Sequence, residues 1–345
     1  MKNPFSNFYH VFTSKELLDI AFKRAMKSSA RVSNNAPILL KAKKKEAKRI
    51  KVAIKELIDR ILGIIKMVPI IEELPEFYIE LASLLVDKDK LRLTLGKLNG
   101  ILPVLSKIER EYLSSLKKIE KPNEGDRIRR AVFGRASSII NKQNKNLVYL
   151  NNIRGKLREI PSIDYESPCV VCAGAPNVGK SSIVKYISTA KSIDVQEYPF
   201  TTKKLIIGHL EVERRFDTIR LQIMDSPGLL DRPISKRNNI ELQAILALRL
   251  ISDLILFVFD PTPSCGYNIE SQINLYNEIK ENFSDDHIEI LPILNKKDLA
   301  SEKEIHYLKE KVGLDNKQLV LTNALTGENL EFIKDYIKNK FIESN

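Results

Sequence analysis

The pattern of apolar and polar positions changes near residue 160. Before this point, apolar residues recur every three or four positions, as they do on the buried face of an α-helix. Ile50, Ile54, Leu57 and Ile61 form one such series. We therefore predict an all-α helical bundle domain in residues 1–160. Its predicted helices are Lys15–Ser28, Ile38–Met67, about Glu72–Val86, Lys88–Leu98, Leu102–Ile119 and Gly125–Ile160.

Prolines mark the predicted ends of several of these helices. Pro69, Pro75, Pro103 and Pro122 each interrupt the helical pattern. A proline inside a helix removes one backbone hydrogen bond and clashes with the preceding turn. We therefore place a helix boundary at each proline, and the short connections predict that neighbouring helices run antiparallel.

The second part of the chain has short apolar runs instead of long helical patterns. A polar segment, residues 161–168, separates the two parts and is predicted to be a linker. Helical segments fill most gaps between the runs, which is typical of a doubly wound, mostly parallel sheet. We assign residues 169–345 to this α/β domain. Its predicted strands are Cys169–Ala173, Lys204–Glu213, Thr218–Met224, Leu254–Asp260, Glu289–Leu294 and Gln318–Leu321.

A glycine-rich loop follows the first predicted strand and matches the phosphate-binding pattern GxxxxGK[ST]. Its glycines let backbone N–H groups and the start of the next helix point at phosphate oxygens. Lys180 would supply positive charge to the β- and γ-phosphates, and the Ser181 hydroxyl would ligate Mg²⁺. The predicted contacts are Gly174, Ala175, Pro176, Asn177, Val178, Gly179, Lys180, Ser181 and Ser182.

Two more motifs follow later strands. Asp225-Ser-Pro-Gly228 has the form DxxG, in which Asp225 would hold a Mg²⁺-bound water and the Gly228 N–H would contact the γ-phosphate. Asn295-Lys296-Lys-Asp298 has the form NKxD. The Asp298 carboxylate can accept from N1–H and the exocyclic amine of guanine, whereas adenine would leave it unpaired. Lys296 would cover the base plane with its aliphatic stem. Together, Asp298 and Lys296 predict that the site binds a guanine nucleotide.

Together these motifs resemble the translation-factor-related class of P-loop GTPases. The phrase Tyr-Pro-Phe-Thr-Thr at residues 198–202 looks like the Obg branch of that class. By this resemblance Thr202 would be a further Mg²⁺ ligand, with Thr201 as the alternative. The segment from Thr322 to Gly327 looks like the last guanine-contacting loop. There Asn323 replaces the usual Ser, and the Ala324 N–H would bond the base oxygen.

Two further features narrow the resemblance: the segment from Phe257 to Tyr267 and the helical domain before the α/β domain. Together they are similar to the nucleolar GTP-binding protein family, which acts in assembly of the large ribosomal subunit. The resemblance implies a short form of that family, a P-loop GTPase that uses GTP, GDP and Mg²⁺. For this assembly role we hypothesise that the helical domain docks on the large subunit and its RNA, because that domain is strongly basic.

Charge is divided unequally between the two parts. Residues 1–160 hold 34 Lys and Arg against 17 Asp and Glu, whereas the remainder holds 22 against 27. The overall charge of +12 therefore hides a basic first part, which favours RNA or an anionic membrane as partner. The densest clusters are Lys41–Lys51 and Arg127–Arg135, which could also be solvated helix faces. Alternatives are a signalling GTPase whose bundle binds proteins and a membrane-recruited GTPase.

The residues after Gly228 predict slow hydrolysis. Leu229 and Leu230 cannot orient a water molecule, so intrinsic turnover should be low. By resemblance, Asn177 could hold a K⁺ ion that stimulates the reaction. Otherwise Arg232 or Arg237, or a surface on the ribosome, would supply the missing charge.

Cysteine content favours a reducing compartment. Cys169, Cys172 and Cys265 are too few and unevenly spaced for a disulfide framework, and we predict that Cys169 and Cys172 are buried strand residues, not metal ligands. The first residues lack a secretory signal, and no apolar stretch is long enough to span a bilayer. We therefore expect a cytoplasmic protein without stable membrane association.

Overall fold

The computed structural model describes residues 3–33, 35–189, 194–199, 204–213, 218–225, 230–231, 238–262, 265–283, 288–313 and 319–343. The chain divides into two compact units. The helical unit contains Pro4–Ile71 and Leu85–Arg158. The sheet unit contains Met1–Asn3, Glu72–Leu84 and Glu159–Asn345, so the chain enters it more than once. None of the described helices has the length and apolar character that crossing a bilayer requires.

The helical unit is organised around one long helix. Helix α2 packs against α1, α4 and α5, and its buried positions Ile50, Ile54, Leu57 and Ile61 follow the predicted helical spacing. The bounds predicted for α2 are confirmed. The helices of this unit are α1 (Ser14–Lys27), α2 (Ile38–Met67), α4 (Lys88–Lys117), α5 (Pro122–Lys142) and α6 (Asn144–Arg158).

The boundary predicted at Pro103 was wrong. The two helices predicted on either side of it form the single helix α4, with Pro103 inside. The proline lies on the exposed side, while Leu98 and Leu105 on the opposite side are fully buried. Packing of that apolar face offsets the lost hydrogen bond, so the helix continues.

Two other predicted helices were too long. The segment predicted as one helix from Gly125 is divided into α5 and α6 at Gln143. The segment near Glu72 becomes a short 3₁₀ turn, Ile71–Glu73, followed by α3 (Glu76–Leu85).

The described residues of the sheet unit form a seven-stranded sheet, whose strand order is β2-β3-β4-β1-β5-β6-β7. Strands β1 and β4 to β7 are parallel, and β2 and β3 pair antiparallel at one edge. The predicted mostly parallel, doubly wound sheet is confirmed. The strands are β1 (Cys169–Ala173), β2 (Asp194–Glu197), β3 (Lys204–Glu213), β4 (Thr218–Asp225), β5 (Leu254–Phe259), β6 (Glu289–Leu294) and β7 (Val320–Leu321).

Helices connect these strands and cover the sheet. The central strand β1 is buried along its whole length, as expected for a strand covered on both faces. Strand β2 was not predicted because its sequence, Asp-Val-Gln-Glu, is polar and mostly exposed at the sheet edge. The helices are α7 (Lys180–Ile187), α8 (Asn239–Leu246), α9 (Ile269–Phe283), α10 (Glu302–Val312) and α11 (Leu330–Glu343).

Residues 161–168, predicted to be a linker, are bonded to the sheet unit along their backbone. Tyr78 of α3 donates its hydroxyl to the Ile163 carbonyl at 2.9 Å and accepts the Ile163 N–H at 3.0 Å. The Gln222 side chain on β4 accepts the Asp164 N–H at 3.0 Å and donates to the Asp164 carbonyl at 2.6 Å. This segment, together with α3, is therefore part of the sheet unit.

Candidate nucleotide-binding site

The glycine-rich loop joins β1 to α7 at the carboxyl edge of the sheet. Its backbone is left-handed at Asn177 (φ 61°) and Gly179 (φ 103°), and Gly174 also has a positive φ of 132°. A cavity of about 370 Å³ lies over the loop, lined by Pro176, Asn177, Gly179, Lys180, Ser181 and Ser182 and by two carboxylates described below. The N-terminus of α7 opens into it, so its free N–H groups favour an anion. Ala175 and Val178, also residues of the loop, are buried.

Lys180 is the buried cation of this cavity. Only 6% of it is exposed, and its ammonium group donates to the carbonyls of Gly174 and Ala175 at 2.8 and 2.7 Å. These bonds hold the lysine along the inner side of the loop, where its charge lies close to any phosphate in the cavity. The contact of Lys180 with the β- and γ-phosphates stays a prediction.

Ser181 and Asp225 meet on the other side of the cavity. The Ser181 hydroxyl donates to Asp225 Oδ2, and Asp225 is fully buried. Its Oδ1 has no hydrogen-bond partner among the described residues. Burial raises the pKa of Asp225, while Ser181 and Lys180 act in the opposite direction. A hydroxyl beside a buried, half-satisfied carboxylate is a set of hard oxygen donors, and it fits a hydrated Mg²⁺ ion.

Asn295, the first residue of the NKxD motif, is hydrogen-bonded to both the phosphate loop and the loop after β7. Its Nδ2 donates to the Val178 carbonyl at 2.8 Å, and its Oδ1 accepts the Ala324 N–H at 2.9 Å. The Asn323 amide donates to Asp298 Oδ1 at 2.8 Å. The NKxD motif and the segment after β7 therefore form one hydrogen-bonded cluster. The Ala324 N–H, predicted to bond the base oxygen, is used by Asn295, so its base contact stays a prediction.

Lys296 is held in place by Asp260 at the end of β5. Its backbone is left-handed (φ 55°), and its ammonium group forms an ion pair with Asp260, which is 1% exposed. Asp260 also accepts from the Thr262 N–H at 2.8 Å. The pair fixes the direction of the lysine stem, which is the part predicted to cover a base. The segment after Phe257 thus positions Lys296.

Several predicted residues lie outside the described residues. They are Thr201, Thr202, Gly228, Leu229, Arg232 and Arg237.

Asp231 is a residue that the motif analysis missed. It is 3% exposed, lines the phosphate cavity and lies near enough to Asp225 to raise the pKa of that carboxyl. The preceding Leu230 carbonyl accepts the Gly174 N–H at 3.0 Å, which joins this segment to the phosphate loop. An acidic residue three positions after Gly228, beyond two leucines, was the only signal in the sequence.

The three cysteines are buried free thiols. Burial raises the pKa of Cys169 and of Cys172, so both remain protonated near neutral pH. No group of three or more His, Cys, Asp or Glu side chains that could hold a metal ion is found among the described residues. The prediction that Cys169 and Cys172 are buried strand residues is confirmed.

Two family models match the chain. The NOG1 N-terminal helical domain matches residues 5–164, and nucleolar GTP-binding protein 1 (NOG1) matches residues 239–298. The first match covers the predicted helical domain, and the second includes the NKxD motif.

Curated relatives match over a longer part of the chain. An uncharacterised protein of Methanocaldococcus jannaschii is 34% identical over 88% of this chain and 83% of its own length. Nucleolar GTP-binding protein 1 is 31% identical in Encephalitozoon cuniculi, over 97% of this chain and 62% of that protein. The nucleolar GTP-binding protein 1 of Caenorhabditis elegans is 31% identical over 93% of this chain and 47% of its own length. The chain thus spans roughly half to three fifths of these two nucleolar relatives. It belongs to the nucleolar GTP-binding protein 1 family.

Proposed function

We propose that this protein binds GTP and hydrolyses it to GDP and phosphate. The observation that carries the proposal is the bridge made by Asn295, which bonds the phosphate loop at Val178 and the loop after β7 at Ala324. Because one side chain joins these loops, a phosphate over Lys180 and a base beside Asp298 can belong to one nucleotide. The relatives named for GTP binding support the same nucleotide.

Guanine is the base that suits Asp298. Its Oδ1 already accepts from Asn323, and a carboxylate has further lone pairs for the N1–H and amine of guanine. Adenine offers an acceptor at N1, so its edge would face the carboxylate without the N1–H that guanine donates. Lys296, held by Asp260, would cover the base plane. These contacts favour GTP over ATP.

Ser181 and Asp225 would hold Mg²⁺, and Thr202 would join them by resemblance to the family. The bound ion would neutralise charge on the β- and γ-phosphates. Asn177, exposed at the edge of the same cavity, would be the contact for K⁺.

Asp231 is the described carboxylate best suited to orient the attacking water. Asp225 is assigned to the Mg²⁺ ion, and the residues directly after Gly228 are leucines. Asp231 lines the cavity and can accept a proton or a hydrogen bond from water. We still expect slow intrinsic turnover, stimulated by K⁺ or by a ribosomal partner that completes the site.

The nucleotide proposal is tested by displacement of a fluorescent GDP analogue from the full chain. GTP and GDP should compete at micromolar concentration or below in the presence of Mg²⁺, whereas ATP should not compete at concentrations about a thousandfold higher. Phosphate release would then be compared in K⁺ and in Na⁺. Equal competition by ATP would contradict guanine selectivity.

We further propose that the protein is an assembly factor of the large ribosomal subunit, with the basic helical unit docking on ribosomal RNA in the cytoplasm. The charge excess of the first 160 residues supports it. The two basic clusters differ in their suitability. Arg129 is paired with buried Glu46, and Arg129 and Arg130 are paired with Asp126, whereas Lys45 and Lys48 on α2 are exposed. We therefore assign RNA contact to α2.

The docking proposal is tested with the full chain and its Lys45→Glu/Lys48→Glu variant. Binding to large-subunit RNA and to large subunits would be measured across a salt series, with a GTP analogue or with GDP. We expect binding that weakens steeply with salt, a lower salt slope in the variant, and a preference for the GTP form. Binding that is absent or insensitive to salt would favour a signalling GTPase whose bundle binds proteins.

A further inference from the structure

A second cleft, of about 530 Å³, lies in the helical unit between the first turns of α2 and the last turns of α4. One face of α2, from Leu40 to Lys51, forms one wall, and one face of α4, from Arg110 to Lys117, forms the other. At 1.5 Å per residue, the α2 wall is about 16 Å long, or three helical turns. We call this feature the α2–α4 cleft.

The floor of the α2–α4 cleft is aliphatic. It contains Leu40, Ala47, Leu113 and Leu116. Leu40 is 40% exposed, so an apolar side chain of this cleft faces solvent. Aliphatic side chains at the base of a groove between two helices suit the apolar face of a third helix.

The rim of the cleft is basic. Lys44, Lys51 and Arg110 border it with exposed side chains, and no acidic residue is among the described residues that line it. Lys43 has another role, because its ammonium group donates to the Lys117 carbonyl at the end of α4 at 2.7 Å. A ligand that fills the cleft must therefore combine an apolar face with negative charge beside it.

We propose that the α2–α4 cleft binds an acidic amphipathic helix of a partner protein. Such a helix would place leucine-like residues on the floor and Asp or Glu against Lys44, Lys51 and Arg110. RNA fits this cleft less well. Single-stranded RNA binds by stacking its bases on aromatic rings, and the described lining contains none. Duplex RNA presents phosphates and sugar hydroxyls, which have no apolar counterpart for the floor.

The probe for this site is a fluorescent synthetic peptide of about 18 residues, or five helical turns. It carries leucines at i, i+3, i+4 and i+7 and glutamates on the remaining face. The control is a permuted peptide of the same composition, in which the leucines do not lie on one face of a helix. Fluorescence anisotropy with the full-length protein should give saturable binding for the first peptide and binding about tenfold weaker for the second.

Two variants test the contacts. Lys44→Glu/Arg110→Glu reverses the rim charge, and Leu113→Gln makes the floor polar. Each should weaken peptide binding by about tenfold. The control, Lys23→Glu/Lys27→Glu, makes the same charge change on exposed residues of α1 that do not line the cleft, so peptide affinity should change by less than about twofold. Thermal unfolding by circular dichroism verifies that each variant is folded.

Three outcomes would overturn the proposal. One is the absence of saturable peptide binding. Another is equal affinity for the permuted peptide, which would show that charge alone accounts for binding. The last is displacement of the peptide by a poly-U oligonucleotide, which would assign the cleft to RNA. None of these depends on GTP, so the nucleotide proposal is tested separately.

Discussion

A Cβ atom on Gly179 would lie 2.2 Å from the side-chain nitrogen of Asn295. The glycine also has φ 103°, which an L residue rarely adopts. Gly179 is therefore required for the approach of the NKxD loop to the phosphate loop, in addition to its predicted contact with the phosphates. The phosphate loop and Asn295 can approach this closely only because position 179 has no side chain.

Replacing Gly179 by Ala should separate these two loops. We expect nucleotide affinity to fall by about tenfold to a hundredfold, because a side chain in this backbone conformation costs about 1–3 kcal/mol. Titration of a fluorescent GDP analogue would measure the loss. The control is Gly134→Ala in α5, where an added Cβ meets no atom within 4 Å. That variant should bind GDP normally and be about 0.5–1 kcal/mol more stable. Normal GDP binding by Gly179→Ala would contradict the close contact.

Replacing Asp298 by Asn should change the preferred base. An amide can donate to the C2 carbonyl of xanthine, where guanine carries an amine, so XDP should bind better and GDP about a hundredfold worse. Competition between GDP and XDP for the fluorescent analogue would measure both. Lys297→Gln, which removes only the surface ion pair with Glu328, is the control. If Asp298→Asn kept its preference for GDP, Asp298 would not be the base contact.

Replacing Asp231 by Asn should slow hydrolysis without preventing binding. Loss of a water-positioning carboxylate typically costs about a hundredfold or more. GTP affinity should remain within about threefold, since the Lys180 and Ser181 contacts are retained. Single-turnover phosphate release and nucleotide titration separate the two effects, with Asp335→Asn on α11 as the control. A variant that hydrolyses GTP at the normal rate would exclude Asp231 from the reaction.

His209 on β3 should make the sheet unit sensitive to mild acid. Burial, aided by Arg220, lowers the pKa of His209 below its ordinary value near 6.5, and its Nδ1 has no hydrogen-bond partner among the described residues. At a pH below that ordinary value, His209 is protonated in the unfolded chain but stays mostly neutral in the folded protein. Stability is therefore lost as the pH falls through the unfolded pKa, until the folded pKa is reached.

The measurement is the free energy of unfolding in urea between about pH 7.5 and pH 5. His209→Gln should flatten this dependence, whereas His306→Gln, on the exposed side of α10, should not. An unchanged slope in His209→Gln would show that other groups cause the acid sensitivity.

Pro103→Ala should stabilise the helical unit. The proline interrupts the hydrogen bonding of α4 on its exposed side, and alanine would restore one bond and remove a clash. We expect a gain of about 1–3 kcal/mol, measured by urea unfolding followed by circular dichroism. Pro122, the first residue of α5, already suits its position, so Pro122→Ala should give no gain. A loss of stability in Pro103→Ala would mean that the proline relieves strain.

The residues that sequence analysis identified share strong local signals. Apolar periodicity located α2, and the glycine loop and NKxD follow buried strands as their chemistry requires. Features that depend on tertiary packing were missed. Pro103 has the sequence of a helix end, but the buried leucines on the other side of α4 keep the helix continuous. Asp231 has no motif of its own, because its proposed role depends on the cavity that it lines.

The return of the chain through α3 has a consequence for how this protein can be divided. Tyr78 bonds both backbone groups of Ile163, and both residues are buried. A fragment that begins near Pro161 would keep the nucleotide motifs and lose α3, so it would leave those two groups without partners. No single cut separates the two units intact. A recombination event that joined only the last half of this gene to another would transmit an incomplete sheet unit.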